Sequence, residues 1–422
     1  MNLYLHQIEA LQRTEWFENV AYYLDMGLGK TFVGAEKLTR YEKKVNLVIC
    51  QKSKINDWKE HFERYYPHYR VLDITKKSGL EEFNELSHEK TKRVIGIINY
   101  ELAWRRQELT DLTDFTLMLD ESSKIQNQKA KQTKYILKLK PAHTILLSGT
   151  PTSGKYENLW SQMHLLGWNI SNQLYNEQYV NWRKLETRTM TIPIVDKKNP
   201  YKNVERLKTK LRQHGAIFMK TEECFDLPEQ NFQIIKVPQT AAYKKFSKNK
   251  IVTVDGQELV GETILTERLI KRQLCGSYSE PKLTALSDLI ESTQDRLIIF
   301  YNFNSELDAL KKIASDHDRP VSLINGQTKD LKAYEEESNS ITLIQYQAGA
   351  MGLNLQKANR IIYFTLTEKS ELFEQSKKRI HRIGQSKPCY YYLLITENSI
   401  EEEEILPTLK IRQEYTDDLF ED

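Results

Sequence analysis

The sequence predicts an α/β protein of two similar lobes joined by a helical middle, and three observations carry that prediction. Apolar runs alternate with polar, helix-like stretches through the first 150 residues: VAYYL (20–24), NLVIC (46–50), RVIGII (93–98), FTLML (115–119) and HTILLS (143–148). Runs of this kind, without polar alternation, suit strands buried on both faces of a parallel sheet, and the intervals between them are long enough for helical crossovers. The same rhythm returns late in the chain in RLIIFYNF (296–303), VSLI (321–324), ITLIQY (341–346), RIIYF (360–364) and YYYLLI (390–395). Finally, 422 residues are too many for one ordinary core.

Residues 1–228 form the expected first lobe, with a core at 1–152 and a helical protrusion at about 155–215. NLWSQMHLLGW and VERLKTKLRQHG carry the helical pattern of that protrusion, the second closed by Gly215. AIFMK (216–220) returns to strand character, and DLPEQ (226–230) reads as a linker. Residues 229–280 are expected as a linker strand and helical insertion, and 281–422 as the second lobe with a C-terminal helix.

Composition narrows the class. Apolar residues make up 40% and charged residues 28%, as in a soluble globular protein. No run of 18 apolar residues spans a membrane, and MNLYLHQIEALQRTEW lacks the pattern of a secretory signal, so a cytoplasmic protein is expected. Cys50, Cys224, Cys275 and Cys389 are scattered, which argues against a zinc site or a disulfide framework. A net charge of +3 does not announce a nucleic-acid binder, although QKAKQTKYILKLK (128–140) and KKNPYKNVERLKTKLR (197–212) are locally basic.

The strongest chemical signal is LDMGLGKT (24–31), which follows an apolar strand and precedes a helix-like stretch. Gly27 and Gly29 let backbone N–H groups close on phosphate oxygens at a helix N-terminus. Lys30 can reach the β- and γ-phosphates, and the Thr31 hydroxyl can ligate Mg²⁺. FTLMLDES (115–122) ends a buried strand in two carboxylates. Asp120 suits a Mg²⁺ held through its water shell, and Glu121 suits orienting or deprotonating the attacking water. LLSGTP (146–151), with Ser148 and Thr150, reads as a coupling element that senses the γ-phosphate.

In the second half, YQAGAMGLNL (346–355) places Gly349 and Gly352 where backbone can approach a ligand. A helix expected from near Ser370 carries Gln375, Arg379 and Arg382, with Gly384 placed to stop it. Positions three apart share a helical face, so both guanidinium groups can point one way, as a transferring phosphoryl requires.

Taken in order, these segments resemble the helicase motifs of superfamily two, specifically its Swi/Snf-like DNA-translocase branch. LHQ (5–7) resembles the glutamine motif, DMGLGKT motif I, LVICQKSKINDWKEHF (47–62) motif Ia and INYELAWRR (98–106) motif Ib. LDESSKIQN (119–127) resembles motif II, and LSGTPTSGKYENLW (147–160) motif III. LIIFYNF, INGQT (324–328), QAGAMGLNL and QSKKRIHRIGQ (375–385) are similar to the later motifs, the last most closely.

The resemblance implies two tandem RecA-like lobes that use ATP and Mg²⁺ to move on DNA, double-stranded or branched by preference, as a monomer and in replication, recombination or repair. It implies that Gln7 reads adenine, that Gly349 contacts nucleic acid and Gly352 binds nucleotide, and that Arg379 and Arg382 complete the ATP site. It further implies DNA-backbone contacts by Lys52, Ser53, Asn302 and Thr328, and coupling through Ser148, Thr150 and Gln375. Several residues depart from the family pattern: Ser123 replaces a usual His, Gln51 a usual Pro, and Gln345, Tyr346 and Gln347 the residues before the motif V glycine. FTLTEKSELFEQ (364–375) replaces an acidic, Trp-Asn-Pro element, and the lack of appended domains suggests a bacterial or phage motor. Two alternatives stay open. One is a true unwinding helicase on forked or single-stranded DNA or on RNA, with IVTVDGQELV (251–260) as its pin; the other is a nucleotide-gated loader with little turnover.

Overall fold

The computed structural model describes residues 2–89, 92–186, 191–349 and 353–421. The chain divides into two compact units, Met1–Cys224 with Tyr415–Asp422, and Phe225–Glu414.

In the first unit the strands are β1 (Asn19–Leu24), β2 (Val45–Cys50), β3 (Arg70–Asp73), β4 (Val94–Asn99), β5 (Phe115–Asp120), β6 (His143–Ser148), β7 (Trp182–Glu186), β8 (Thr191–Val195) and β9 (Ala216–Met219). Seven of them form one sheet in the order β3-β4-β2-β5-β6-β1-β9, and every pair in it is parallel. The expected apolar runs are these strands, and their burial explains their composition: every residue of β2 and of β4 is buried. Helices α1 (Leu5–Arg13), α2 (Lys30–Arg40) and α3 (Ile55–Tyr65) belong to this unit. Because the sheet is parallel, the C-terminal ends of β1, β2, β4, β5 and β6 lie on one edge, where such folds bind ligands. Each of the first-lobe motifs after LHQ begins within three residues of one of those ends.

The stretch at 155–215 is not wholly helical. Between the helices Asn172–Tyr179 and Val204–Gln213 stands an antiparallel ribbon, β7 with β8, which joins no other strand among the described residues. Thr191, Ile192, Ile194 and Val195 are β-branched and favour extended backbone over helix.

The second unit contains β10 (Gln230–Val237), β11 (Ile251–Val254), β12 (Gln257–Val260), β13 (Leu297–Tyr301), β14 (Val321–Ile324), β15 (Lys329–Asp330), β16 (Ile341–Gln345), β17 (Arg360–Tyr363) and β18 (Cys389–Thr396). Its sheet runs β10-β18-β17-β13-β16-β14-β15, parallel except for β14 with β15. The segment expected as a linker at 229–280 therefore gives a full edge strand, since β10 pairs with β18 from Gln230 to Val237. Segment 251–260 is an antiparallel hairpin that turns at Asp255 and Gly256, both with positive φ, as a two-residue hairpin loop requires. A buried ion pair, Lys282 to Glu401 at 2.6 Å, ties two helical segments together beneath Phe364.

The C-terminal helix spans Leu406–Phe420, and its closing residues belong to the first unit. Leu419 and Phe420 are part of that unit's core, and the Tyr156 hydroxyl is 2.8 Å from both the Tyr415 carbonyl and an Asp418 carboxylate oxygen.

The helix expected to carry both arginines is shorter than anticipated: it runs Ser370–Lys377, and Arg379 and Arg382 lie in the turns that follow. Residues 375, 376, 377, 379, 380 and 381 are all buried, a run that one face of a 3.6-residue helix cannot accommodate. His381 instead reaches the Pro228 carbonyl at 2.9 Å, and Lys377 lies over the Phe232 and Phe373 rings.

Candidate nucleotide and nucleic-acid sites

The loop after β1 is built as a phosphate cradle. Gly27 and Gly29 have φ of 95° and 74°, a region that L side chains rarely enter. Gly29 is also the N-cap of α2, and a Cβ there would stand 2.3 Å from Gln7 Nε2. The Lys30 ammonium donates to the carbonyls of Leu24 (3.0 Å) and Asp25 (3.4 Å) and lies against Gly149 of the LSGTP segment. Two other residues brace the loop. Asp25 accepts the Thr221 hydroxyl at 2.9 Å, and His6 is 2.9 Å from the Leu28 carbonyl. Gln7, expected to read adenine, is buried with both ends of its amide engaged, Nε2 on Leu28 O and Oε1 on Tyr4 N. In this arrangement it holds the loop.

Asp120 ends β5 within reach of that lysine's field. Burial pushes its carboxyl above the ordinary carboxylate range, opposed first by a hydrogen bond from the Trp58 indole (2.8 Å) and then by the charges of Lys30 and Lys54. Glu121 follows in a left-handed conformation, φ 55°, unusual for a non-glycine residue and a form of strain that gathers at functional sites. The Tyr100 hydroxyl donates to the Asp120 carbonyl at 2.9 Å, so the segment after β4 fixes the backbone of the acidic pair. The donor set fits Mg²⁺. One carboxylate and the Thr31 hydroxyl suit an ion that keeps most of its ligands as water and phosphate, and no cluster of three metal-ligating side chains exists among the described residues.

Trp58, Gln126 and Gln162, which no motif reading singles out, join the motifs. Gln162 accepts the hydroxyls of Ser122 (2.7 Å) and Tyr23 (3.0 Å) and donates to the Pro151 carbonyl (2.7 Å). Gln126 donates to the same carbonyl at 3.0 Å. The acidic-pair segment and the Ser148–Pro151 segment are thereby knit together. Ser148 Oγ accepts the Thr150 amide at 3.2 Å, while the Thr150 hydroxyl is buried without a partner among the described residues. In the helical NLWSQMHL pattern, Gln162 is a polar residue among apolar ones, and that is the available signal.

Lys52 and Ser53 are exposed on a turn, Lys52–Lys54, between β2 and α3. They line an open depression of about 520 Å³ with Gln51, Glu101 and Lys124. The turn continues directly into α3, whose Trp58 reaches Asp120 and whose His61 packs edge-on against Phe32, the residue after Thr31. His61 lies in an aromatic cluster with Trp58, Phe62, Tyr65 and Tyr66, and burial pulls it down to about 4.

In the second unit, Arg379 is buried and Arg382 half-buried, and both donate to the Leu353 carbonyl, at 3.3 and 3.4 Å. Turns rather than a helical face bring the two guanidinium groups together. Burial draws Arg382 below its ordinary value. Gly352 lies outside the described residues, and Gly349 ends a short helix, Tyr346–Gly349. Gln375 is buried and bonds Glu371 at 3.3 Å. Asn302 directs both amide protons inward, to Thr365 Oγ1 and Leu366 O at 3.0 Å, which leaves no amide donor for the expected phosphate contact. Thr328 is exposed on the β14–β15 turn, apart from the small depression of about 110 Å³ that Asn302, Gln345 and Gln347 line.

Comparison with known proteins gives one answer. The sequence matches the SNF2-related domain over residues 23–280 and the helicase conserved C-terminal domain over 281–384. It is 24% identical over 424 residues to the Mus musculus "SWI/SNF-related matrix-associated actin-dependent regulator of chromatin subfamily A member 1", covering 90% of this chain and 39% of that protein. It is likewise 24% identical over 419 residues to the Bacillus subtilis "Putative ATP-dependent helicase/translocase YwqA", covering 90% and 44%. The chain thus spans about two fifths of the length of these relatives. Among solved structures, the "Sulfolobus solfataricus SWI2/SNF2 ATPase core in complex with dsDNA" aligns with a TM-score of 0.45 at 20% identity, covering 100% of this chain and 93% of that one.

Proposed function

The chain belongs to the SNF2-related family, and from that premise we propose that it is a DNA-stimulated ATPase that moves on DNA. The observation that carries the proposal is the single edge of the first sheet, where the Lys30 loop, the Asp120–Glu121 pair and the Ser148–Thr150 segment meet.

The chain's own groups divide the work. Gly27 and Gly29 open the loop so that its amides and the start of α2 receive the phosphates. Lys30, released from the Leu24 and Asp25 carbonyls, takes the β- and γ-phosphate charge. Asp120 and Thr31 would hold Mg²⁺, which when bound neutralises phosphate charge. Glu121 orients and deprotonates the attacking water. Arg379 and Arg382 are assigned the charge that develops on the transferring phosphoryl group. Lys52 and Ser53 hold the DNA backbone without reading its sequence. Replication, recombination or repair is the setting we favour for such a motor.

The test is ATP turnover with and without duplex DNA. Turnover should rise with DNA and fall by at least about 10²-fold in Lys30→Ala or Glu121→Gln, the scale of losing one charge-stabilising group. Equal turnover with and without DNA would refute the motor reading, and tight ATP binding with negligible turnover would favour a loader.

A further inference from the structure

Two separate antiparallel ribbons stand among the described residues, and they differ in charge. The β11–β12 hairpin, the expected pin, carries Asp255 and Glu258 with Glu262 beyond, and Val252, Val254 and Leu259 pack into the core of the second unit. Its carboxylates would repel a phosphate backbone, and among its apolar side chains only Ile251 and Val260, opposite each other at the end away from the turn, stay exposed.

The β7–β8 ribbon is the reverse. Residues directly opposite each other share a face, so Arg183, Leu185, Ile192 and Ile194 line one side and Trp182, Lys184, Glu186, Thr191, Pro193 and Val195 the other, with Glu186 the one carboxylate on the two strands. All of β7 is exposed, with Trp182 46%, Leu185 44% and Ile192 39% accessible. A lone two-stranded ribbon is marginal in water, and among the described residues this one is held at its base. There Asp196 N donates to Asn181 O at 2.8 Å, Asn181 N donates to Pro200 O at 2.8 Å, and Val180 bridges Tyr201. Asp196 turns its carboxylate onto the Lys198 and Asn199 amides. Arg183, Lys184, Lys197, Lys198, Lys202 and Arg206 are all exposed and form no ion pair with an acidic side chain among the described residues.

We propose that the β7–β8 ribbon is a second nucleic-acid contact, built for DNA with exposed base faces, such as a fork or a junction between single and double strand. The proposal rests on the DNA-motor reading above. Six unpaired cations match a phosphate backbone. An exposed indole and an aliphatic pair need something else, because an intact duplex buries its base faces. Unpaired or terminal bases offer a face for Trp182 to stack on and an edge against which Leu185 and Ile192 can wedge.

The test compares binding of a forked and a blunt duplex of equal length, by fluorescence anisotropy over a range of KCl, for the full chain, Trp182→Ala and the double variant Arg183→Ala/Lys184→Ala. DNA-free ATP turnover of each variant checks that it is folded. Wild type should prefer the fork. Trp182→Ala should weaken fork binding about 5- to 160-fold, the range for one lost stacked base, and leave the blunt duplex within about twofold. The double variant should weaken both and lower the slope of log K against log salt by about 1.4 to 1.8, as two lost phosphate contacts would. A Trp182→Ala variant that binds the fork like wild type, or a double variant with an unchanged salt slope, would overturn the proposal while wild type still binds DNA. A wild type that binds neither DNA and gains no turnover from it would instead overturn the parent reading.

Discussion

At the scale of single residues, the two arginines are not equivalent. Arg379 is 1% exposed, so its removal leaves a cavity and orphaned partners in the second unit. Arg382 is half-buried and its loss is structurally milder. Arg382→Ala should therefore leave DNA affinity within about twofold and lower kcat by about 10³-fold or more, the range of an arginine finger. DNA binding and turnover measured on one preparation decide it, and weakened DNA binding would make this a phosphate-tracking segment. Trp58 gives a second residue-level prediction. Trp58→Phe keeps the packing against Phe62 but removes the indole donor to Asp120. A hydrogen bond to a charged group contributes about 1.5–3 kcal/mol, so the Mg²⁺ concentration for half-maximal turnover should rise about tenfold. The loop and the acidic pair were legible in sequence because phosphate chemistry demands those residue types within a few positions. Trp58 was not, because its partner is 62 positions away and only the sheet brings them together.

At the scale of elements, α3 would connect the two chemistries proposed for the first unit. It begins at the proposed DNA-contact turn and reaches both Asp120 and the ring beside Thr31. Its His61 also sets a pH dependence. The folded value near 4 lies below the ordinary 6.5, so the neutral ring stabilises the fold above pH 6.5, and that contribution is lost as pH falls through 6.5 toward 4. His61→Phe should flatten the acid limb of a stability curve over that window, read by thermal unfolding at several pH values; an unchanged limb would mean that other groups control it. Strands were the most legible elements, since unbroken apolar runs leave little else for buried segments to be. The β7–β8 ribbon escaped because WRKLE and TIPIV sit between helical patterns, although the β-branched residues around Pro193 were the available clue. The shortened helix before Arg379 escaped for another reason. Spacing of three suggested a face, whereas burial of nearly every residue from 375 to 381 imposes turns.

At the scale of the whole molecule, two parallel sheets were foreseeable from rhythm and length. The boundary was less so, because β10 completes the second sheet from within the expected linker and the last helix returns its end to the first unit. That return can be weighed. Leu419 is fully buried in the first unit's core, so Leu419→Ala should cost about 2–5 kcal/mol, in the range of buried leucine truncations. Chemical denaturation followed by a probe in that unit would show it, and a loss below about 0.5 kcal/mol would mean that the segment only rests on the surface.

The same feature also sets a schedule. The first unit to leave the ribosome is the last whose structure can be completed, because its core waits for Leu419 and Phe420. Until then Phe218 lacks its edge-on partner Phe420, and the hydroxyl of Tyr156 lacks the Tyr415 carbonyl. The second unit, continuous in sequence, is complete first. Synthesis therefore leaves the first unit's core incomplete until residues 415–421 have emerged, and a chain stalled or nicked before them carries a protease-sensitive first unit and an intact second one.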